Sequence, residues 1–399
     1  MTVIHSPELE TAAPSRPSLV ETFMSAGFRP FFLGAAIWAV LAMGLWVASL
    51  AGVPVLANPA AWHLHELLFG YLTAAMAGFV LTAAPSWTKQ PPLVGWWLMV
   101  LFGLWVAARV ASLGLGAWPP LAYAALDLSM PVAMAWITAK AVIAGKNWRN
   151  ASVVVALVLH TIGNAVFHWE LAQGLPVAQG VGARLGLAAG LILVSVVGGR
   201  IAPNFTRNWL KRSGKAKDGL PPEASTADLV CHAVLGAALL SWIVAPWAVA
   251  TGVLLIAAGL VHLWRMSRWM GHKTLDDPLM WVLHAGYAFI PLGALALGVS
   301  ILELIPLWTG DAVHIWTVGA IGLTTLAVMT RATLAHSGGP LVALPGSTIL
   351  YLALIAAALV RPLFGATLTG QSIAAMGWIV AFGGYAVIYG HRMVKADKA

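Results

Sequence analysis

The chain alternates long apolar runs with short polar intervals. Runs of about 20 residues recur from end to end, each long enough to cross a bilayer as a helix. They predict 12 spans, near 30–52, 62–87, 94–116, 120–144, 151–171, 182–203, 228–245, 247–265, 279–304, 313–335, 346–364 and 372–391. The runs are continuous, not the residue-by-residue alternation of barrel strands. The fold expected is therefore all-α and polytopic. The stretch to about Ser25 is polar and holds Pro14 and Pro17. It has no basic start, short apolar core and cleavage site, so it reads as a loose cytoplasmic tail (1–25) before a single transmembrane domain (26–399).

Composition supports the same reading. Of 399 residues, 60% are hydrophobic and 9% charged, where a soluble domain carries roughly 25% charged residues. The net charge of +8 is explained by where the basic residues fall. If the chain crosses at every run, one side collects Arg29, Lys89, Lys146, Arg212, Lys273, Arg392 and most of the others. The opposite side receives only Arg109, Arg184 and Arg361, each inside or at the edge of a span. The positive-inside rule makes the first side cytoplasmic, with both termini inside. No nucleic-acid partner is needed to account for the charge; the partner is the bilayer. Trp62, Trp87, Trp118, Trp148, Trp209 and Trp308 stand near span ends as an interfacial belt. The single cysteine, Cys231, excludes an internal disulfide and any CxxC motif, and argues against covalently attached haem.

The spans resemble one another weakly. The second ends "TAAPSWTKQ", the sixth "RIAPNFTRN" and the tenth "TRATLAHSG". Setting Pro85 against Pro203 and Leu334 puts Arg200 against Arg331 and His65 against His314, with Arg184 one place beyond. Compared separately, "LWVAARVAS" of the third span and "IAAALVRPLFG" of the eleventh match Arg109 with Arg361, and "VLHTIG" of the fifth and "VLHAGY" of the ninth match His160 with His284. This predicts three parallel four-helix repeats (26–146, 147–273, 274–395). The haem–copper oxidase main subunit has such an arrangement, and there the second and tenth helices carry axial haem histidines. The analogy is architectural and does not settle function.

The histidines then sort into layers. His63, His65, His168 and His314, with Glu66, stand near the non-cytoplasmic ends of spans. His160, His262, His284 and His336 lie toward the cytoplasm. His5, His232 and His272 are expected in tail or loop. Neutral imidazole is the commonest metal ligand, and haem iron is usually held by histidine. Deep carboxylates are few, Asp127 foremost, which suits a haem or copper site better than a proton-driven carrier. Residues two apart on a helix point about 200° apart, so His63 and His65 cannot both bind one metal. Glu66 shares a face with His63 and is expected to orient it. His65 and His314, at matching repeat positions, are the expected bis-histidine pair, with His284 and His336 as an inner site. For His160 and His284 the structural alternative is a hydrogen bond to backbone or hydroxyl. Arg109, Arg184 and Arg361 require anions, supplied by haem propionates or by Glu66, Glu170 or Asp311. Gly182, Gly186 and Gly190 form a small-residue face for close helix packing, or a flat surface for a porphyrin.

The blocks "GFRPFFLGAA", "WHLHELLFGYLTAAMAGFVLTAAPSWT", "NAVFHW", "GGRIAPNFTRN", "DPLMWVLHAGYAFIPLGALALG" and "HIWTVGAIGLTTLAVMTRATLAHSG" resemble the NnrS family from Gly27 to about Arg392. The resemblance implies a haem- and copper-containing bacterial inner-membrane protein, associated with denitrification and relief of nitric oxide stress. Its motif positions are His63, His65, Glu66, His168, Arg200, His284, His314, Arg331 and His336, with Arg200 and Arg331 in supporting roles. The implied cofactor is haem b, with or without copper; the implied partners are nitric oxide or a related gas and an electron donor of unknown kind. Whether such a protein turns nitric oxide over as an oxidoreductase stays open. The alternatives are a multispanning transporter, for which Pro131, Pro246 and Pro291 would break spans, or a haem or copper delivery factor.

Overall fold

The computed structural model describes residues 17–114 and 118–395. His5, Pro14, Arg16 and Lys398 lie outside them, as do residues 115–117 at the end of the predicted third span. The described residues contain twelve helices long and apolar enough to cross a membrane. They are α1 (Phe28–Leu50), α2 (Pro59–Thr88), α3 (Gly95–Leu113), α4 (Pro120–Ala144), α5 (Ala151–Ala172), α6 (Val181–Arg212), α7 (Thr226–Val244), α8 (Val249–Ser267), α9 (Pro278–Ile301), α10 (Thr309–His336), α11 (Ser347–Phe364) and α12 (Leu368–Val394). The protein is an all-helical polytopic membrane protein, and each predicted run is one helix. The connections carrying Lys89, Lys146, Lys215 and Lys273 share one end of the bundle, called here the basic end; the other is the far end.

The end of the tail differs from the loose segment expected. Leu19–Phe23 is a short helix whose capping box ties Ser18 and Glu21 reciprocally, at 2.7 and 3.2 Å. The sixth span also outruns its prediction, continuing past Pro203 to Arg212. A mid-helix proline leaves the carbonyl four residues back without its N–H partner. Here that carbonyl belongs to Gly199, and Arg265 of α8 donates to it at 3.3 Å. Pro131 and Pro291 likewise sit inside unbroken helices, and Pro246 lies between α7 and α8.

α2, α6, α9 and α10 are the most enclosed spans. α1 closes the bundle against α12. Trp378 donates to the Ala39 carbonyl at 3.1 Å. The fully buried Arg29 donates to the carbonyls of Met393 (2.8 Å) and Lys395 (3.0 Å) at the end of α12. The glycine face of α6 is a packing face. A Cβ on Gly182 would lie 2.3 Å from the Phe167 backbone nitrogen, and one on Gly163 of α5 would lie 2.6 Å from that of Gly186.

α2 and α10 share a departure from regular geometry. Each begins as an α-helix, widens into a π segment directly after His65 or His314, and returns to α-helix. The π segments are Glu66–Tyr71 and Ile315–Leu323. Widening disturbs the i to i−4 ladder, and side chains supply partners inside the membrane. Trp105 of α3 donates to the Gly70 carbonyl at 3.0 Å. Thr325 donates to the carbonyls of Ile321 and Gly322, at 2.8 and 2.9 Å. π segments of this kind recur at functional sites.

Candidate functional site

The N-terminal turns of α2 bring three polar side chains to the far end, and they separate onto two faces. His63 opens onto a cavity of about 350 Å³, within the range of small-molecule pockets. His314, from α10, lines the same cavity, as do Arg184 of α6 and Arg361 of α11. Trp46, Tyr71, Trp242, Trp308 and Trp378 supply much of the rest of the wall.

The two cavity histidines are held differently. His314 Nδ1 donates to the Gly310 carbonyl at 2.6 Å. A carbonyl only accepts, so the proton sits on Nδ1 and the neutral ring keeps a lone pair on Nε2, the arrangement of a metal-ligating imidazole. The His63 ring stacks on Trp46, centroids 4.4 Å apart at 22°. Its buried Nδ1 has no hydrogen-bond partner among the described residues. Arg361 is paired with Asp311. Arg184 donates to the backbone carbonyls of Gln179 and Ile243, and its buried Nε has no partner among the described residues. Glu170, one of the anions expected for these arginines, instead accepts from the Val181 and Gly182 N–H groups at 2.7 and 3.2 Å, capping α6.

His65 and Glu66 face away from the cavity, into a fully buried polar cluster built by α1 to α5. His65 contacts Glu66 through Nδ1 at 2.8 Å, and Asn164 and Asp127 through Nε2 at 3.1 and 3.2 Å. Arg109 spans both acids, bonding Glu66 at 2.5 Å and also Asp127. Asp127 accepts from Asn164 at 2.7 Å and contacts His168 Nε2 at 3.1 Å. Glu66 also accepts from the Trp38 indole at 2.9 Å and from the Tyr123 hydroxyl at 3.3 Å. Gly70 is required beside this network, since a Cβ there would lie 2.5 Å from Arg109 Nη1 and 2.8 Å from Glu66 Oε2.

Two expectations are therefore corrected. His65 and His314 do not share a site; the histidine that joins His314 at the cavity is His63. Glu66 does not orient His63; it bonds His65. The reason is the 200° separation itself. Once Arg109 and Asp127 claim the His65 and Glu66 face, His63 is left facing α10. Position matching across repeats also loses meaning at this end, because the two π segments differ in length and turn the residues before them by different amounts.

The inner histidines are individually satisfied. His160 contacts Thr73 (3.1 Å) and the Gly186 carbonyl (3.2 Å), and His284 contacts Thr206 at 2.8 Å. His336 is exposed and tilts against Phe28. His284 and His336 thus have separate surroundings and form no common inner site. His232, expected in tail or loop, lies in α7, bonded to the carbonyls of Asp228 (2.6 Å) and Ser195 (3.2 Å). It borders a second buried network. There Arg265 reaches Asp228 at 2.6 Å and Tyr287 at 2.5 Å, and His262 reaches Tyr287 at 2.9 Å. Arg200 bonds Asn150 at 3.0 Å, and Arg331 lies 4.2 Å over the Phe205 ring. Neither lines the cavity. The sequence reading also missed Asn164, Tyr123 and Trp38, although Asn164 falls within the quoted block "NAVFHW".

Fold and site together define a class: a polytopic helical membrane protein with an aromatic-walled internal cavity carrying two histidines and two arginines from four spans. Comparison with known families narrows it. A family model described as "NnrS protein" matches residues 22–396, nearly the whole chain, and the chain belongs to the NnrS family. It is thereby a membrane protein related to nitric oxide. No curated protein matches it.

Proposed function

We propose that the cavity holds a b-type haem between α2 and α10, and that the protein binds nitric oxide there, within the membrane. His314 would hold the iron, because its Nδ1–H is anchored to the Gly310 carbonyl and leaves Nε2 free. His63 is the second imidazole, on iron or beside the bound gas, and has no anchor of its own. Arg184 and Arg361 would meet the haem carboxylates, a role that suits buried or half-buried guanidinium groups at a span end. Haem iron with a free axial position supplies nitric oxide binding. The protein supplies an apolar enclosure, orientation and charge compensation. Reduction of nitric oxide would need an electron donor and protons in addition; binding needs neither. The positive-inside rule supports a basic end facing the cytoplasm of a bacterial inner membrane; a haem in this cavity would then lie near the opposite surface.

The observation that carries this is that His63 and His314 line one cavity, the His63 ring with a buried Nδ1 that has no partner among the described residues. Buried polar atoms without partners are rare and call for an explanation. Copper fits less well. His65, Asp127 and His168 offer donor atoms within 4.8 Å of one another, but the Arg109 cation already holds Asp127, so no copper is assigned there. Absorbance and pyridine haemochrome analysis of the purified protein test the haem. The wild type is expected to show a Soret band that shifts with nitric oxide. His314→Ala should lose most haem, His63→Ala should keep haem with an altered spectrum, and His65→Ala should keep its haem content. Colourless wild-type protein, or wild-type spectra in both His63→Ala and His314→Ala, overturns the assignment.

A further inference from the structure

Toward the basic end from this cavity lies a second, smaller void of about 50 Å³ between α2, α6 and α10. Its walls follow the spacing seen in the sequence. The offsets that superpose Pro85, Pro203 and Leu334 also superpose Ala75, Leu193 and Thr324, which line it as one tier. They superpose Phe79, Val197 and Val328, which line it as another. The void therefore runs along an axis about which three helices present equivalent positions. Leu72 lines both this void and the larger cavity. Its repeat counterparts are Gly190, on the void, and Ile321, on the cavity. A Cβ on Gly190 would stand 2.9 Å from Leu72 Cδ2 and 3.4 Å from Ile321 Cδ1. These three residues form a collar of hydrocarbon between the two spaces.

The chemistry of the wall selects the occupant. A buried water needs two to four polar partners. The Thr325 hydroxyl is spent on the Ile321 and Gly322 carbonyls and on Tyr71, 2.5 Å away. The Thr324 hydroxyl has no partner among the described residues and lies against the backbone of Gly286. One unpartnered hydroxyl cannot hold a water. Apolar cavities of ~150 Å³ stay dry and bind xenon; this one has room for a single xenon atom or diatomic molecule.

We infer that the axial void is a docking site for one molecule of a small apolar gas, which passes to the histidine cavity through the Leu72, Gly190 and Ile321 collar. The site stands on its own walls, whereas its use as a route rests on the haem reading above. Crystals of the purified full chain pressurised with xenon test the site. Density is expected between α2, α6 and α10 in the wild type, and none in Val194→Phe or Ala75→Leu, two fillers from different helices. In haem-loaded protein, flash photolysis of bound carbon monoxide tests the route. A rebinding phase should respond to xenon in the wild type, vanish in the fillers and quicken several-fold in Leu72→Ala. Absence of xenon from a correctly folded wild type removes the site. Rebinding indifferent to xenon and to all three variants removes the route. A chain that binds xenon but no porphyrin would keep the site and refute the haem reading instead.

Discussion

Replacing Arg109 by methionine removes the guanidinium that bridges Glu66 and Asp127 and leaves two fully buried carboxylates with His65 as the remaining basic group against both. Removing one partner of a buried ion pair costs ~3–5 kcal/mol, because a charge is left without compensation. His65 and Asn164 remain beside Asp127, so the cost should stay within that range. Unfolding entropy of ~2 cal/mol/K per residue makes each kcal/mol worth about 1 °C in a chain this long, and the midpoint should fall by ~4–6 °C. The protein carries its own reporter. Cys231 is its one cysteine and is fully buried, so a thiol-reactive fluorophore brightens only as the chain opens. Arg109→Lys should fall by a similar amount, since one ammonium cannot reach two carboxylates as the guanidinium fork does. The triple variant Arg109→Met, Glu66→Gln, Asp127→Asn should recover much of the loss, because no charge is then left buried. A midpoint for Arg109→Met within a degree of wild type, or no recovery in the triple variant, refutes the charge argument.

Other outcomes follow from the same contacts. Gly70→Ala forces a methyl against Arg109 and Glu66 and should cost ~1–3 kcal/mol in the same assay. Gly182→Leu cannot be accommodated against the Phe167 backbone; folded protein should largely disappear from size-exclusion profiles. Tyr385→Phe removes a buried hydrogen bond to Thr333 of 2.9 Å and should cost ~1 kcal/mol in the thermal unfolding assay. At the basic end, Lys215 stands 2.6 Å from Asp276 and holds that carboxyl below its ordinary range. The contribution of a depressed carboxylate is complete above its unfolded pKa and is lost only as pH falls through the folded value. The thermal midpoint of wild type and Asp276→Asn should therefore differ by a constant, small amount from about pH 7 down to about pH 5.

Much of this was legible from hydropathy and charge, and the remainder fails for identifiable reasons. Span number and rough limits follow from length alone, since hydrocarbon thickness sets the run. The need of Arg109 and Arg361 for anions followed from their depth, and Glu66 and Asp311 were among the candidates. Which face of α2 each histidine would take was not legible. Helix geometry separates His63 from His65, but only the docking of α3 and α4, which carry Arg109 and Asp127, decides which one meets α10. Apolar sequence has no feature that marks the π segments at Glu66 and Ile315. His232 was misplaced although it falls inside the predicted span at 228–245; its bonds to the Ser195 and Asp228 carbonyls are what show it tied into the bundle.

The arrangement answers why so apolar a chain opens α2 with three titratable groups. One turn of that helix is fixed from behind. Trp62 donates to the Ser112 carbonyl at 3.0 Å, and His65 and Glu66 are tied into a network reaching α3, α4 and α5. His63 is on the same turn and faces the opposite way, so its position is set by bonds that it does not itself make. Its ring nitrogens therefore need not be spent on holding the helix, and the buried Nδ1 without a partner is the visible result. His314 reaches the same end by a shorter route, one backbone carbonyl a turn earlier on its own helix. What a ligand site requires is an imidazole whose orientation is fixed, by packing or by one ring N–H, while a ring nitrogen stays free. In this bundle, the cost of burying Arg109, Glu66 and Asp127 is offset by their mutual pairing, and what the pairing secures is the aim of His63.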